Sequence, residues 1–267
     1  HDVLEGQSTI KYHLSDIYLR SDEYSVSDWR LATDIQSGSY QLTDYDFKKP
    51  KSDLTTTRIN HMENSYSDQP VFDFPGKYVE SSDGEQYALN RLEELQVNYE
   101  VVSAVTDARN MILGGLFSLE EHPRSDQNRE YLITTCEYRL TANQYVTGSD
   151  TSGSEPFFCQ IQAIDSSVPY RAASVTPRPF IRGPQTAIVV GPAGEEIYPD
   201  EFGRVKVQFY WDRYGDKDEN SSCWIRVAQS GAGPGFGSQF IPRIGHEVMV
   251  EFLDGDPDRP IITGRVY

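Results

Sequence analysis

Short alternating runs dominate this chain, and they are clearest toward its C-terminal end. In "GRVKVQFYW" Val205, Val207, Phe209 and Trp211 fall on one face, and Arg204, Lys206, Gln208 and Tyr210 on the other. "EVMVEFL" repeats the pattern, setting Val248, Val250 and Phe252 against Glu247, Met249 and Glu251. Successive side chains of a strand point to opposite faces, so each run predicts a strand with one buried side. A one-residue slip would expose that whole side. "TAIVVG", "CWIRVAQ" and "IITGRVY" supply three more strands, with the polar turns "DRYGDKDENSS" and "DGDPDRP" between elements. Five short strands with one apolar face need closure to remove their edges. A small OB-type barrel over about residues 180–267 is the simplest solution, with an SH3-like barrel as the alternative. Val205, Val207, Phe209, Val248, Val250 and Phe252 are expected to point inward.

Upstream the pattern is also mainly β. "SYQLTDYDFKKPKSDLTT" reads as a strand and then a connection interrupted at Pro50. "REYLITTCEYRL" alternates, placing Leu132, Thr134 and Cys136 on one side and Tyr131, Ile133 and Thr135 on the other. One segment, Ser81 to Glu100, predicts a helix: Ala88, Leu92, Leu95 and Tyr99 recur at helical spacing, Ser82 or Asp83 is positioned to cap it, and Glu85 suits its first turn. "VVSAVTDARNMILGG" returns to strand chemistry. "VTGSDTSGSEP" (Val146 to Pro156) has the small polar composition of a hairpin tip or a disordered insertion. Four prolines between Pro169 and Pro184 resist both helix and central strand, as a linker does. The expected division is therefore a β-rich domain over 1–168, a proline-rich linker over 169–184 and a barrel over 185–267.

Charge narrows the function classes. The chain of 267 residues carries 24 Lys and Arg against 41 Asp and Glu, a formal charge of −17. The deficit runs through both parts, with 15 basic against 28 acidic residues up to position 180 and 9 against 13 after it. Phosphate contacts supply most nucleic-acid affinity, so a nucleic-acid partner is not expected, nor an anionic membrane surface. Tyr210, Trp211 and Trp224 are the aromatics that would serve a single-stranded oligonucleotide site on an OB barrel; they are expected mostly to pack. No run approaches the ~20 apolar residues of a membrane span. Cys136, Cys159 and Cys223 form no CxxC pair and are read as small core hydrophobes.

The candidate chemistry motifs fail one by one. Gly231, Gly233, Gly235 and Gly237 offer neither GxGxxG nor Gly-Lys-Ser/Thr, and they open no helix to receive a phosphate. The cluster is read as a flexible or tightly packed connection. Asp254, Asp256 and Asp258 mimic a calcium loop, but Arg259 and Arg265 stand where Gly and a bidentate Glu are required; Asp216, Asp218 and Asn220 fail alike at Ser221 and Val227. His1, His13, His61, His122 and His246 show no ligand spacing. No GxSxG elbow is present, and Asn220-Ser221-Ser222 is a glycosylation sequon of a kind common by chance. No catalytic, cofactor-binding or metal residue is nominated, no cofactor is expected, and the chain is read as a non-enzyme.

From Val189 the stretch "VVGPAGEEIYPDEFGRVKVQFYWDRYGDKDENSSCWIRVAQSGAGPGFGSQFIPRIGHEVMVEFLDGDPDRPIITGRVY" resembles the VgrG spike proteins of bacterial type VI secretion systems. "TDYDFKKPKSDL", "GEQYALNRLEEL" and "LFSLEEHPRSDQNREYLITTCEYRL" resemble the hub region of the same family, which is related to the baseplate hub of contractile-tailed phages. The resemblance covers nearly the whole chain, more loosely at residues 1–35. It implies a hub-type β-barrel domain with one helix, followed by a small OB-fold barrel. It implies a role as well: a homotrimer capping the Hcp tube, sharpened by a PAAR protein, carrying effectors and meeting membranes only by mechanical puncture. Assembly in the bacterial cytoplasm and delivery to a target cell follow from it. The first part of the hub and the β-helical needle are expected to lie outside this sequence. The alternative is a scaffold within a larger spike that bears a C-terminal lytic or toxin domain.

Overall fold

The computed structural model describes residues 2–4, 8–13, 24–64, 66–140 and 157–267. It divides into two compact units, His1–Ser174 and Val175–Tyr267. The polar stretch from Val146 to Pro156 lies outside the described residues, as does His1. The proline-bearing stretch from Pro169 to Pro184 contains neither helix nor strand.

The first unit opens with β1 (Asp2–Val3), β2 (Thr9–Tyr12) and β3 (Ser25–Thr33). Then come β4 (Ser39–Leu42), β5 (Thr56–Ile59), β6 (Pro70–Asp73) and α1 (Ser81–Gln96). It ends with β7 (Glu100–Thr106), β8 (Gly115–Glu120), β9 (Glu130–Leu140) and β10 (Phe157–Asp165). The large sheet runs β1-β8-β2-β3-β7-β10-β9, and β9 pairs back onto β8. Among the described residues this closes a six-stranded barrel, with β1 laid beside β2 on the same flank of β8. Ile10, Val26, Phe117, Leu119, Tyr131, Ile133, Cys159 and Ile161 fill its interior.

The alternation expected along β9 breaks in the middle. Gln162 pairs with Thr135 but Ala163 pairs with Ile133, so Thr134 is the extra residue of a β-bulge. Before the bulge Tyr131 and Ile133 face the barrel, while Leu132 turns outward onto Val97 and Ile164. After it the parity reverses, and Cys136 packs against the barrel core with Phe157. Cys136 therefore does not share a face with Leu132.

Beside the barrel, β4 pairs with β5 and β6, and α1 covers the small sheet. The helix ends four residues before Glu100, and its N-cap is Glu80 without a side-chain capping bond; Ser82 and Asp83 lie inside the first turn. Its buried stripe is Gly84, Ala88, Leu92 and Gln96, with Leu95 only partly covered and Tyr99 beyond the end. The i, i+4 row therefore passes through a polar residue that periodicity alone would put outside. Burial is tolerable because Gln96 Nε2 donates to the Asn60 carbonyl at 2.7 Å and its Oε1 accepts from Asn60 Nδ2 at 2.7 Å.

The second unit contains β11 (Gln185–Val190), β12 (Lys206–Phe209), β13 (Arg226–Val227), β14 (Gly231–Gly233), β15 (Phe236–Ser238), β16 (Glu247–Phe252) and β17 (Pro260–Arg265). Five of them form the sheet β12-β11-β16-β17-β13, and the antiparallel Val205–Ile225 bridge joins its two edges. The result is a small closed barrel. Val205, Val207, Val248 and Val250 are fully buried, with Ala187, Val189, Ile225 and Ile262 around them. Phe209 and Phe252 cap the interior at one end, stacked with ring centroids 6.0 Å apart.

Candidate functional site

Each acidic stretch that mimics a metal loop is built as a turn. Asp218 accepts from the Asn220 amide at 2.8 Å and from Asn220 Nδ2 at 3.2 Å. The Asn220 amide bond is the main reason its carboxyl stays below the ordinary range. Asp256 accepts from the Asp258 amide at 3.0 Å, and Asp254 takes the left-handed conformation at φ 54°. Groups of three or more His, Cys, Asp or Glu placed to hold a metal ion do not occur among the described residues.

The histidines are spread out. His122 packs edge-on against Tyr12 at 4.5 Å, His61 faces Asp68 at 3.3 Å, and His246 Nδ1 accepts from the Arg243 amide at 3.4 Å. They are not brought together. Cys223 is exposed rather than a core residue, because it lies on the loop before β13 and outside the barrel's alternation.

Among the described residues the most enclosed ion pair serves a turn of the small barrel. Arg204 Nε meets Asp200 Oδ2 at 2.6 Å with both side chains largely covered. Asp200 Oδ1 also accepts from the amides of Phe202 at 3.0 Å and Arg204 at 2.8 Å. Burial alone would raise this carboxyl, but the Arg204 amide and guanidinium and the Phe202 amide outweigh it and hold the pKa low. A depressed folded pKa adds stability above the unfolded value and loses it as pH falls through the folded one. Asp200→Asn is therefore expected to lower stability by about 1–3 kcal/mol at neutral pH. The gap from wild type should close below about pH 4 in paired urea titrations. An unchanged gap at pH 3 would contradict the assignment.

The glycine cluster is an ordered hairpin. β14 and β15 pair Gly231 with Ser238 and Gly233 with Phe236, leaving Pro234 and Gly235 as the turn. Gly235 takes φ 78°, and a Cβ on Gly237 would stand 2.6 Å from the Gly231 carbonyl oxygen. Only glycine fits both places at no steric cost. The hairpin lifts Phe236 into solvent, 72% exposed.

Tyr210 and Trp211, expected mostly to pack, are 61% and 69% exposed. They follow β12 where the strand leaves the barrel, and only one face of the Trp211 ring is covered, stacked on Phe209 at 5.2 Å. Trp224 is more sheltered, with Lys206 over its ring at 4.9 Å and Tyr198 at 5.1 Å. The Val205–Ile225 bridge is antiparallel, so β12 runs from it toward Trp211 while the chain after Ile225 runs the other way to the hairpin. The two aromatic groups thus sit at opposite ends of the small barrel. In the first unit the edge strand β6 is exposed along its length, carrying Val71 and Phe72, with Phe74 just after it. The most prominent surface features among the described residues are thus these exposed apolar and aromatic side chains.

Comparison with known proteins places these units in context. Residues 1–144 match the family model of the phage tail baseplate hub (GPD), and residues 186–267 match the type VI secretion system/phage-baseplate injector OB domain. The chain is 52% identical over 267 residues to the type VI secretion system spike protein VgrG1b of Pseudomonas aeruginosa, covering 100% of this chain and 36% of that protein. It is 41% identical over 243 residues to the spike protein VgrG3 of Vibrio cholerae, covering 91% of this chain and 24% of that one. A V. cholerae protein named actin cross-linking toxin VgrG1 is 39% identical over 236 residues, covering 88% and 22%. Among solved structures, a type VI secretion component of E. coli covers 98% of this chain and 67% of that one at 18% identity, with a TM-score of 0.48. The chain thus spans between 22% and 40% of the length of the curated relatives it matches.

Proposed function

The chain belongs to the phage tail baseplate hub family, in its VgrG spike branch, and from that membership we propose that it is the hub-to-OB segment of a trimeric spike at the tip of a type VI secretion tube. The observation that carries this reading is the unbroken 52% identity across both units, in the order hub then injector barrel. The partners are two further copies of the chain and the Hcp tube, with a PAAR tip protein and effectors engaged by the complete spike. Assembly takes place in the bacterial cytoplasm, and delivery carries the spike into a target cell. Among the described residues no helix is long and apolar enough to cross a membrane. The role is structural and needs no reaction from these residues. A second reading, a scaffold within a spike that ends in a toxin or lytic domain, is favoured by the relative named for actin cross-linking, of which this chain spans 22%.

Exchange of this segment into a working spike gene tests the role. Export of the Hcp tube protein should persist, and its loss with normal spike abundance would overturn the proposal. Self-association gives a second prediction. Three chains of charge −17 each repel, so salt should favour the trimer over dissociated chains in light scattering coupled to size exclusion. A stable dimer would contradict a cyclic threefold interface.

A further inference from the structure

The bulge at Thr134 puts two thiols side by side on the wall of the hub barrel. In the register of β9 with β10, Cys136 lies opposite Ile161 and Tyr138 opposite Cys159. Side chains two apart on a strand share a face, so Cys136 and Cys159 are diagonal neighbours on the inward side. Their surroundings differ. Cys159 is fully buried, whereas Cys136 is half-covered and lines an open recess of about 440 Å³ with Ile112, Leu113, Thr134, Thr135 and Tyr138. The Tyr138 hydroxyl donates to the Met111 carbonyl beside this recess.

We propose that Cys136 is a peroxide-reactive thiol and Cys159 its resolving partner, so that the hub barrel holds a reversible cross-strand disulfide. The chemistry of the pair fits this division of labour. The neighbouring Cys159 thiol, and a smaller contribution from Tyr138, hold Cys136 at a pKa of about 7 against the opposing effect of burial. The proximity of Cys136, followed by burial, pushes the Cys159 thiol up. Cys136 is thus partly ionised at neutral pH with access to solvent, and Cys159 remains a protonated, sheltered thiol. The titratable groups facing Cys136 are Cys159 and Tyr138.

The steps balance with a hydroperoxide as the oxidant. The Cys136 thiolate attacks the O–O bond; an S–O bond forms, the O–O bond breaks, and the departing alkoxide takes a proton from water. Cys136 is left as a sulfenic acid. The Cys159 sulfur then attacks the sulfenic sulfur and gives up its proton; an S–S bond forms, the S–O bond breaks, and water leaves. Two thiols have lost two electrons and two protons, and the peroxide has become an alcohol and water. Diagonal neighbours sit at roughly 7–8 Å between Cα atoms, whereas a disulfide spans up to about 6.8 Å. Closure must shift the two residues toward each other along the β9–β10 pair, so the bond is strained and readily reduced.

The experiment uses the whole chain with Cys223→Ser, which removes the exposed thiol of the other unit. Alkylation of Cys136 by iodoacetamide should show a midpoint near pH 7, against about 8.5 for an ordinary thiol. Hydrogen peroxide at equimolar dose should consume two thiols and yield a linked peptide containing Cys136 and Cys159, which dithiothreitol separates. In Cys159→Ser, which keeps a hydrogen-bond donor beside Cys136, no linked peptide should form, and dimedone should trap Cys136 as the sulfenic acid. An alkylation midpoint of about 8.5 or higher, or both thiols surviving peroxide, would overturn the proposal. Disulfides only between chains would overturn it as well.

Discussion

Val207→Asp is expected to unfold the small barrel while leaving the hub unit folded. Val207 has no exposed surface and belongs to the apolar cluster of Val189, Val205, Val248, Val250 and their neighbours. A carboxylate there has no partner and must either stay charged in an apolar interior or fold protonated with its hydrogen bonds unmade. Either course costs on the order of 4 kcal/mol or more, a large share of what a domain of this size has. The barrel is also closed by the two hydrogen bonds between Val205 and Ile225 next to this position, at 2.8 and 3.0 Å, so local yielding opens the sheet. Tryptophan emission separates the units, because Trp211 and Trp224 report on the barrel and Trp29 on the hub. Thr263→Asp is the control: its side chain points outward beside buried Ile262, and its effect should stay within about 0.5 kcal/mol. If Val207→Asp and Thr263→Asp melt alike, the inward assignment is wrong.

That assignment was legible in the sequence because strict period-two alternation leaves one choice of buried face. The five strands, their order in the chain and four of the six inward residues come from the pattern alone. Phe209 and Phe252 were named correctly as inward but sit at the barrel's mouth, where alternation does not report depth. Period also identified the helix but misjudged its stripe, because the hydrogen bonds that allow Gln96 to be buried come from Asn60, far away in sequence. The Thr134 bulge left no composition signal at all, so the proximity of Cys136 to Cys159 could be seen only in the pairing register. Tyr210 and Trp211 are exposed against expectation for a related reason: a strand pattern does not say where the sheet ends and the chain turns out to solvent. The strand pairing of the glycine hairpin is not foreseen by the pattern, since glycines carry no alternation to read.

In the hub unit the largest loss is expected from Tyr131→Ala, at about 3–5 kcal/mol. Tyr131 is fully buried, packs edge-on against Trp29 at 5.0 Å and stacks on Phe117 at 5.8 Å. Its hydroxyl donates to the Gln127 carbonyl at 2.9 Å and accepts from Arg129 Nε at 3.2 Å. Arg129 is itself held by Asp165 at 2.9 Å and by Glu100. Tyr131→Phe keeps the ring and removes only the hydroxyl, so it should cost about 1–2 kcal/mol. The difference between the two variants measures ring packing alone. Titration separates them again. Burial is the main reason the Tyr131 phenol is raised, partly offset by Arg129, so its contribution is whole below about pH 10 and falls as pH rises through the folded value. Wild type should therefore lose stability in strong base more steeply than Tyr131→Phe, and urea midpoints at pH 7 and pH 11 make the comparison. Were Tyr131→Phe to cost as much as Tyr131→Ala, the hydroxyl network rather than ring packing would be holding this end of the barrel; a Tyr131→Ala loss under about 1 kcal/mol would remove Tyr131 from the core altogether.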